Sequence, residues 1–278
     1  MQPVRRQNRF NRTRLVIIAV ALALTAWACA QVPVTGRSSL QLVSNNQLAG
    51  MAVQQYNDTL EKSTLSKDAA QTAMVRRVGT RIADAAEQFL RETGRDDLAG
   101  SFQWEFNLIE DDETVNAWVL PGGKTVVYTG ILKHTQNETG LAVVLGHEVA
   151  HALAGHGNER VSQGLLTQLG GVALAVALAQ KPAETQQLFM AAYGLGANVG
   201  VLLPYSRLHE READRIGLVL MAMAGYDPRE SVPFWQRMNS EGGARPPEFL
   251  STHPAPDTRI AEIERYLPEA LSYYKPTR

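Results

Sequence analysis

The stretch VLGHEVAHALAGHG, from Val144 to Gly157, carries three histidines and one glutamate within ten positions. It follows an apolar run and continues the spacing of a helix. His147 and His151 are four residues apart, and on a helix this spacing places two side chains on one face, one turn apart. We therefore predict a helix that aims both imidazoles at a common point.

Two neutral imidazoles in this arrangement can share one Zn²⁺ ion, at about 2.0–2.1 Å each. Glu148 directly follows His147, so its carboxylate can reach a reacting water without binding the metal. The pattern His-Glu-x-x-His is therefore typical of a zinc metalloprotease in which the glutamate is the general base. We predict one zinc ion per chain, held by His147 and His151, and peptide hydrolysis as the reaction.

A catalytic zinc site needs a third protein ligand, and three downstream residues compete for this role: His156, His209 and Glu210. On a continuing helix His156 lies about 140° round from His151, so we interpret it as a helix-end residue that faces away. Glu210 has Asp214 one turn further on, and such a carboxylate can orient a ligand histidine by accepting its second ring N–H. This pairing favours Glu210, because His209 cannot supply both functions.

The charges around Glu210 also have a plainer interpretation, an exposed helix face covered with ion pairs. Glu212 would lie about 200° round the helix from Glu210, and we predict that it is solvated.

The remaining patterns predict a mainly helical α+β fold. Helical spacing runs from Asn46 to about Arg91, and Phe102–Ile109 alternates apolar and polar residues as a strand does. Val115–Leu120 and Lys124–Leu132 flank Pro-Gly-Gly, which is typical of a hairpin. We expect a small antiparallel sheet of three or four strands. The Gly/Ala-rich region Gly164–Leu203 is interpreted as a buried helical hairpin, with membrane contact as the alternative.

Charge is distributed unevenly along the 278 residues. The first 28 contain five arginines and no acidic residue, which leaves 22 basic and 28 acidic residues and a net charge of −6 in the remainder. This balance excludes a nucleic-acid-binding footprint.

The N-terminus is typical of a secretory signal peptide over residues 1–28. Its apolar run, Leu15–Ala28, has fourteen residues, short of the roughly 20 that span a bilayer, although a short transmembrane anchor is the alternative. Cys29, the sole cysteine, follows directly and is a candidate for lipidation, with simple cleavage after Ala28 as the competing interpretation. We assign residues 29–45 to a tether and 46–278 to a catalytic domain.

Four segments together resemble a known family: HEVAH, SRLHEREADRIG, AGYDPRESVPFWQRM and STHPAPDTRI. They are similar to the zinc metallopeptidases that include the CAAX prenyl endopeptidase and the membrane quality-control proteases of mitochondria and bacteria. Within that family the likeness is to bacterial lipoprotein and periplasmic members, whose mature chains begin much like VPVTGRSSLQLVS. The resemblance extends from Val32 to Leu267.

This resemblance implies a gluzincin-like zincin domain in which the sheet edge borders the active-site cleft. It implies Glu210 as the third zinc ligand and Asp214 as its supporting carboxylate. It also implies that Asn116 lines the cleft and that His253 lies near the metal. There His253 would stabilise the transition state or occupy the open zinc position in a resting form.

The resemblance further implies an outer-membrane lipoprotein that faces the periplasm of a bacterial cell envelope and is held there by a lipid anchor. Its expected substrates are misfolded or unassembled envelope proteins, whose extended segments would pair with the sheet edge near Val115–Leu120. An alternative is a chaperone-like client-binding module whose zinc site is mostly blocked, for example by His253 and the 240–257 loop.

Overall fold

The computed structural model describes residues 29–165, 206–240, 247–253 and 258–276. The predicted signal peptide and most of the Gly/Ala-rich region Gly164–Leu203 lie outside these residues. Within the described ranges, no helix is both long and apolar enough to cross a bilayer.

The described residues confirm a mainly helical α+β fold with small sheets. The strands are β1 (Cys29–Gln31), β2 (Ser38–Leu40), β3 (Glu105–Ile109), β4 (Ala117–Leu120) and β5 (Lys124–Tyr128). The helices are α1 (Asn45–Lys62), α2 (Ala69–Glu92), α3 (Asp96–Ala99), α4 (Thr129–Thr135), α5 (Glu138–Ala154), α6 (Arg207–Met223), α7 (Ser231–Ser240), α8 (Glu248–Thr252) and α9 (Arg259–Tyr273). A 3-10 turn, Pro228–Glu230, leads into α7.

The three-stranded sheet contains the predicted hairpin but has one unexpected pairing. Strands β4 and β5 pair antiparallel, with Trp118 opposite Val126. Strand β3 pairs with β5 in parallel, so the order is β3–β5–β4 and β4 is an edge strand. Alternation of apolar and polar residues reports one solvent-facing side of a strand and carries no information on the direction of its neighbour.

Helix α5, which contains His147 and His151, is buried on nearly every side. Its closest neighbour is α6, and the two helices cross in backbone contact at a pair of glycines. A Cβ built on Gly146 would lie 3.0 Å from the carbonyl oxygen of Gly217. Since Gly146 precedes His147 and Gly217 lies two turns after Glu210, this contact sets the spacing between the two helices that carry the candidate zinc ligands.

Candidate metal centre

Three elements bring four buried side chains together. His147 and His151 come from α5, Glu210 comes from the first turn of α6, and His253 caps the C-terminal end of α8. One ligand atom from each of them lies within 4.8 Å of all the others. We call these four residues the cluster.

The separations between the ligand atoms of the cluster fit a tetrahedral ion. The Nε2 atoms of His147 and His151 are 3.0 Å apart, and each lies 3.4 Å from an oxygen of Glu210. His253 Nδ1 lies 3.2 Å from His147 Nε2 and 3.1 Å from Glu210 Oε1. Metal bonds of about 2.0–2.1 Å in a tetrahedron place neighbouring ligand atoms about 3.3–3.4 Å apart. These nitrogen and carboxylate groups are also the donor types that zinc takes, so the residues present fit that ion.

Glu148 lies beside the cluster and is itself buried. Its Oε1 accepts no hydrogen bond among the described residues, although His253 Nε2 lies 3.2 Å away. Burial raises the pKa of the Glu148 carboxyl above its ordinary value. A carboxylate whose basicity is raised next to a metal site has the properties expected of a general base.

The predicted contact between Asp214 and a cluster histidine is present. His147 Nδ1 lies 3.0 Å from Asp214 Oδ1, so the ring donates its Nδ1–H there and directs the Nε2 lone pair into the cluster. Burial lowers the pKa of His147, but hydrogen bonds to Asp214 and Glu210 outweigh burial and raise it to about 9.

Arg259 is a site residue that sequence reasoning missed. Its Nη2 donates to Asp214 Oδ1 at 2.6 Å and its Nη1 lies 3.2 Å from Glu210 Oε2, so one guanidinium links both carboxylates of α6. The side chain is 1 % exposed and stacks over the ring of Trp235, 3.4 Å from the ring centre. A signal exists in the sequence: Arg259 lies one turn before the buried Ile263, on the core face of α9, where an arginine needs a buried partner.

The prediction that His156 is a helix-end residue and not a zinc ligand is confirmed, but the prediction that it faces away from His151 is wrong. Helix α5 ends at Gly155, whose φ of +67° is left-handed, and helical conformation resumes at 156–165. His156 therefore folds back, and its Nδ1 lies 2.9 Å from His151 Nδ1. It is not part of the cluster. Burial lowers the pKa of His156 to about 4, so the ring is neutral at pH 7.

The prediction that Glu212 is solvated is also wrong. Its side chain is buried because the residues between β1 and β2 cover this face of α6. It accepts hydrogen bonds from Arg37 Nε at 2.7 Å and from Thr35 Oγ1 at 2.6 Å. The segment predicted to be a tether thus packs against the helix that carries Glu210.

The remaining two candidates are not among the four residues of the cluster. His209 Nε2 contacts Glu159 Oε2 at 3.1 Å. Asn116 directly precedes β4 and donates to Glu248 Oε1 at 3.2 Å, in the same helical segment that ends in His253. The backbone follows the same course, since Phe249 N–H donates to the carbonyl of Val115 at 3.1 Å. Residues 247–249 therefore lie against the chain where it enters the edge strand.

Comparison with known proteins gives the same assignment as the geometry. Residues 69–267 match the model of Peptidase family M48. The chain is 35 % identical to the mitochondrial metalloendopeptidase OMA1 of Schizosaccharomyces pombe over 97 % of its own length and 75 % of that protein. It is 32 % identical to the human mitochondrial metalloendopeptidase OMA1 over 86 % and 46 %. It is 26 % identical to the β-barrel assembly-enhancing protease of Escherichia coli over 92 % and 52 %.

These matches correct the predicted cellular location and leave the predicted bacterial lipoprotein type without support. The relatives from fungi, animals and plants at 32–38 % identity are named as mitochondrial, which contradicts the predicted location in a bacterial cell envelope. The matches likewise carry no support for the bacterial lipoprotein type within the family. The chain spans about half the length of the human and Escherichia coli relatives.

The predicted enzyme class, a zinc metallopeptidase, is confirmed by a family model that covers most of the chain, including α2 to α6 and the His253 segment. The cluster that could hold a metal ion lies inside the matched range. The chain therefore belongs to Peptidase family M48.

Proposed function

We propose that this protein is a zinc endopeptidase that cleaves unfolded or unassembled proteins. One observation carries the proposal: three nitrogen and carboxylate donors from α5 and α6 converge in a buried site, with the raised-pKa carboxyl of Glu148 next to them. His147, His151 and Glu210 would hold the ion. When bound, zinc polarises the scissile carbonyl and acidifies water.

The side chains have separate parts in the reaction. Glu148 takes the proton from the attacking water and returns it to the leaving amine. Asp214 keeps the Nε2 lone pair of His147 directed into the site, and Arg259 holds both Asp214 and Glu210 in place. His253 and Asn116 are proposed to hydrogen-bond the developing oxyanion.

The proposed substrate class follows from the position of the edge strand β4. An extended chain can add to such an edge through backbone hydrogen bonds, which recognise conformation more than sequence. Folded proteins cannot present a strand in this way, whereas unfolded or unassembled ones can. The names of two relatives, a metalloendopeptidase and a protease that enhances β-barrel assembly, support this class.

A digest with matched substrates tests the proposal. Wild type and Glu148→Gln would each be incubated with reduced, carboxymethylated ribonuclease and with the same protein folded. We expect wild type to cleave the unfolded chain at internal bonds, to spare the folded one, and to lose activity on zinc removal. Glu148→Gln is nearly isosteric and should cleave neither. Cleavage by Glu148→Gln at the wild-type rate would overturn the assignment of the base.

A second candidate function, a client-binding module with a mostly blocked site, is favoured by the placement of α8. His253 Nδ1 lies where a fourth ligand atom would be, 3.2 Å from His147 Nε2. A hydrogen bond from Phe249 N–H to the carbonyl of Val115 also holds α8 against the start of the edge strand. Both contacts come from one short segment, so its displacement would open the metal site and the strand together.

The variant His253→Ala separates the two functions, with Thr252→Ala as its control in the same helix. Activation of proteolysis by His253→Ala alone would identify a gated protease. Loss of activity in His253→Ala, from a wild type that is already active, would place the histidine in transition-state stabilisation. If neither wild type nor His253→Ala cleaves an unfolded chain that both bind, the binding module is the correct function.

We also retain lipidation of Cys29 as a prediction, which mass spectrometry of the mature N-terminus tests.

A further inference from the structure

A line of polar groups, buried as far as Glu212 and partly exposed at Arg37, lies behind His151, on the side of the ring that faces away from the cluster. His151 Nδ1 is 2.9 Å from His156 Nδ1, and His156 Nε2 is 3.3 Å from Glu212 Oε2. Glu212 in turn accepts from Arg37 Nε and Thr35 Oγ1. We call His156, Glu212 and Arg37 the relay.

The positions of the hydrogens in the relay follow from its charged end. Glu212 already accepts from an arginine and a hydroxyl, so it is a carboxylate, and the nearest nitrogen of His156 must carry a hydrogen to bond it. A neutral His156 with its hydrogen on Nε2 has a lone pair on Nδ1. That lone pair can accept only if His151 carries its own hydrogen on Nδ1, which leaves the Nε2 lone pair of His151 directed into the cluster.

We propose that the relay sets the tautomer and ring orientation of His151 for zinc binding, so that His156, Glu212 and Arg37 are positioning residues of the metal site. The two histidines of α5 are then oriented by different means. His147 bonds a carboxylate directly through Asp214, whereas His151 reaches the carboxylate of Glu212 through a second imidazole. The inference rests on the proposed zinc site and extends it to the N-terminal segment.

The neighbours of the relay hold it rigidly. The ring of His209 stacks on that of His156 with centroids 4.4 Å apart. The Nε2 atom of His209 is in turn held by the carboxylate of Glu159. Arg37 bonds Glu159 with both terminal nitrogens, at 2.9 and 2.7 Å, while its Nε holds Glu212. A single guanidinium therefore fixes both glutamates, which gives the residues between β1 and β2 a direct connection to the metal centre.

Substitution of His156 tests the relay through zinc affinity, measured by competition with a chromophoric chelator. His156→Leu removes the acceptor, and loss of such an orienting partner typically weakens metal binding by about 10- to 100-fold. His156→Asn offers an amide oxygen near the position of Nδ1, so it should recover most of the affinity. The cobalt-substituted proteins provide a second readout, since a reoriented ligand shifts the absorption bands of the metal.

Unfolding of the chelated proteins separates this role from packing. A packing role alone would lower the stability of the chelated protein and leave zinc affinity and the cobalt spectrum unchanged, and that result would overturn the inference. Equal loss of affinity in His156→Leu and His156→Asn would also contradict it. Zinc binding by wild type without proteolysis would refute the proposed function and leave the relay standing.

Arg37→Met tests the far end of the relay in case the His156 variants do not fold. Its control is Arg215→Met: Arg215 lies on α6, as Glu210 does, and forms an ion pair of similar geometry with Glu269 of α9. We expect Arg37→Met to weaken zinc binding several-fold, because Glu212 loses a donor that holds it in place, and Arg215→Met to bind zinc as wild type does. Equal zinc affinities in both variants and wild type would overturn the role of the N-terminal segment.

Discussion

Replacement of Gly217 by alanine tests whether the backbone contact between α5 and α6 sets the geometry of the cluster. A Cβ at this position would lie 2.9 Å from the carbonyl carbon of Gly146 and 3.0 Å from the backbone nitrogen of His147. Backbone atoms of two packed helices cannot rotate aside as a flexible side chain can. The helices must therefore move apart, and His147 moves away from Glu210 with them.

The size of the effect follows from these distances. Ordinary carbon contacts lie at about 3.5–4.0 Å, so the helices must separate by roughly 0.5–1 Å. Overpacking of this kind costs about 1–3 kcal/mol, and the better helix propensity of alanine offsets about 0.8–1.0 kcal/mol, for a net loss of about 0–2 kcal/mol. Metal–ligand distances tolerate only about 0.2 Å, so zinc affinity should suffer more than the free energy of unfolding.

Urea unfolding of the chelated protein and zinc competition would be measured for Gly217→Ala and for the control Gly50→Ala. Gly50 lies on α1, and a Cβ there would meet no atom within 4 Å. Gly50→Ala should be neutral or more stable by up to about 1 kcal/mol, with unchanged zinc affinity. Wild-type zinc affinity and wild-type stability in Gly217→Ala would refute the reasoning.

Two further predictions concern the carboxylates around the site. Asp214→Asn should weaken zinc binding by about 10- to 100-fold, because an amide holds the Nδ1–H of His147 less strongly than a carboxylate does; a calorimetric titration that matches wild type would contradict this. Burial raises the pKa of Glu159, but hydrogen bonds from His209 and Arg37 outweigh burial and hold the pKa well below its ordinary value. A lowered folded-state pKa gives stability that is present above the unfolded-state pKa and is lost as the pH falls through the folded-state value. Glu159→Gln should therefore flatten the acid limb of the stability profile between about pH 5 and pH 2, measured by urea unfolding. Identical acid limbs for Glu159→Gln and wild type would exclude a contribution of Glu159 to the pH dependence of stability.

Relations within one helix could be predicted from the sequence. The spacing of His147 and His151, and that of Glu210 and Asp214, determine which side chains share a face, because the helix period is regular. The hairpin could also be predicted from the sequence, since Pro-Gly-Gly between two β-rich runs is a local signal. Each of these inferences needed information from fewer than about a dozen consecutive residues.

The features that could not be predicted depend on tertiary contacts or on a single backbone angle. The orientation of His156 could not be predicted, because the left-handed conformation of Gly155 ends the helix one residue before it. Glu212 was expected in solvent because nothing near it in sequence shows that Arg37 packs there, 175 residues away. Arg259 comes from the last described helix and bonds α6, so only the folded chain brings its partners together.

The zinc affinities and proteolytic rates of Glu148→Gln and Glu210→Gln, measured side by side, test the central claim most directly. Both substitutions replace a buried carboxylate with an amide of nearly the same shape, one on α5 and the other on α6. We predict that Glu148→Gln binds one zinc ion per chain as wild type does but does not cleave an unfolded protein, because it lacks only the base. Glu210→Gln should lose zinc to a chelator that leaves wild type loaded. Proteolysis by Glu148→Gln, or wild-type zinc affinity in Glu210→Gln, would contradict the account.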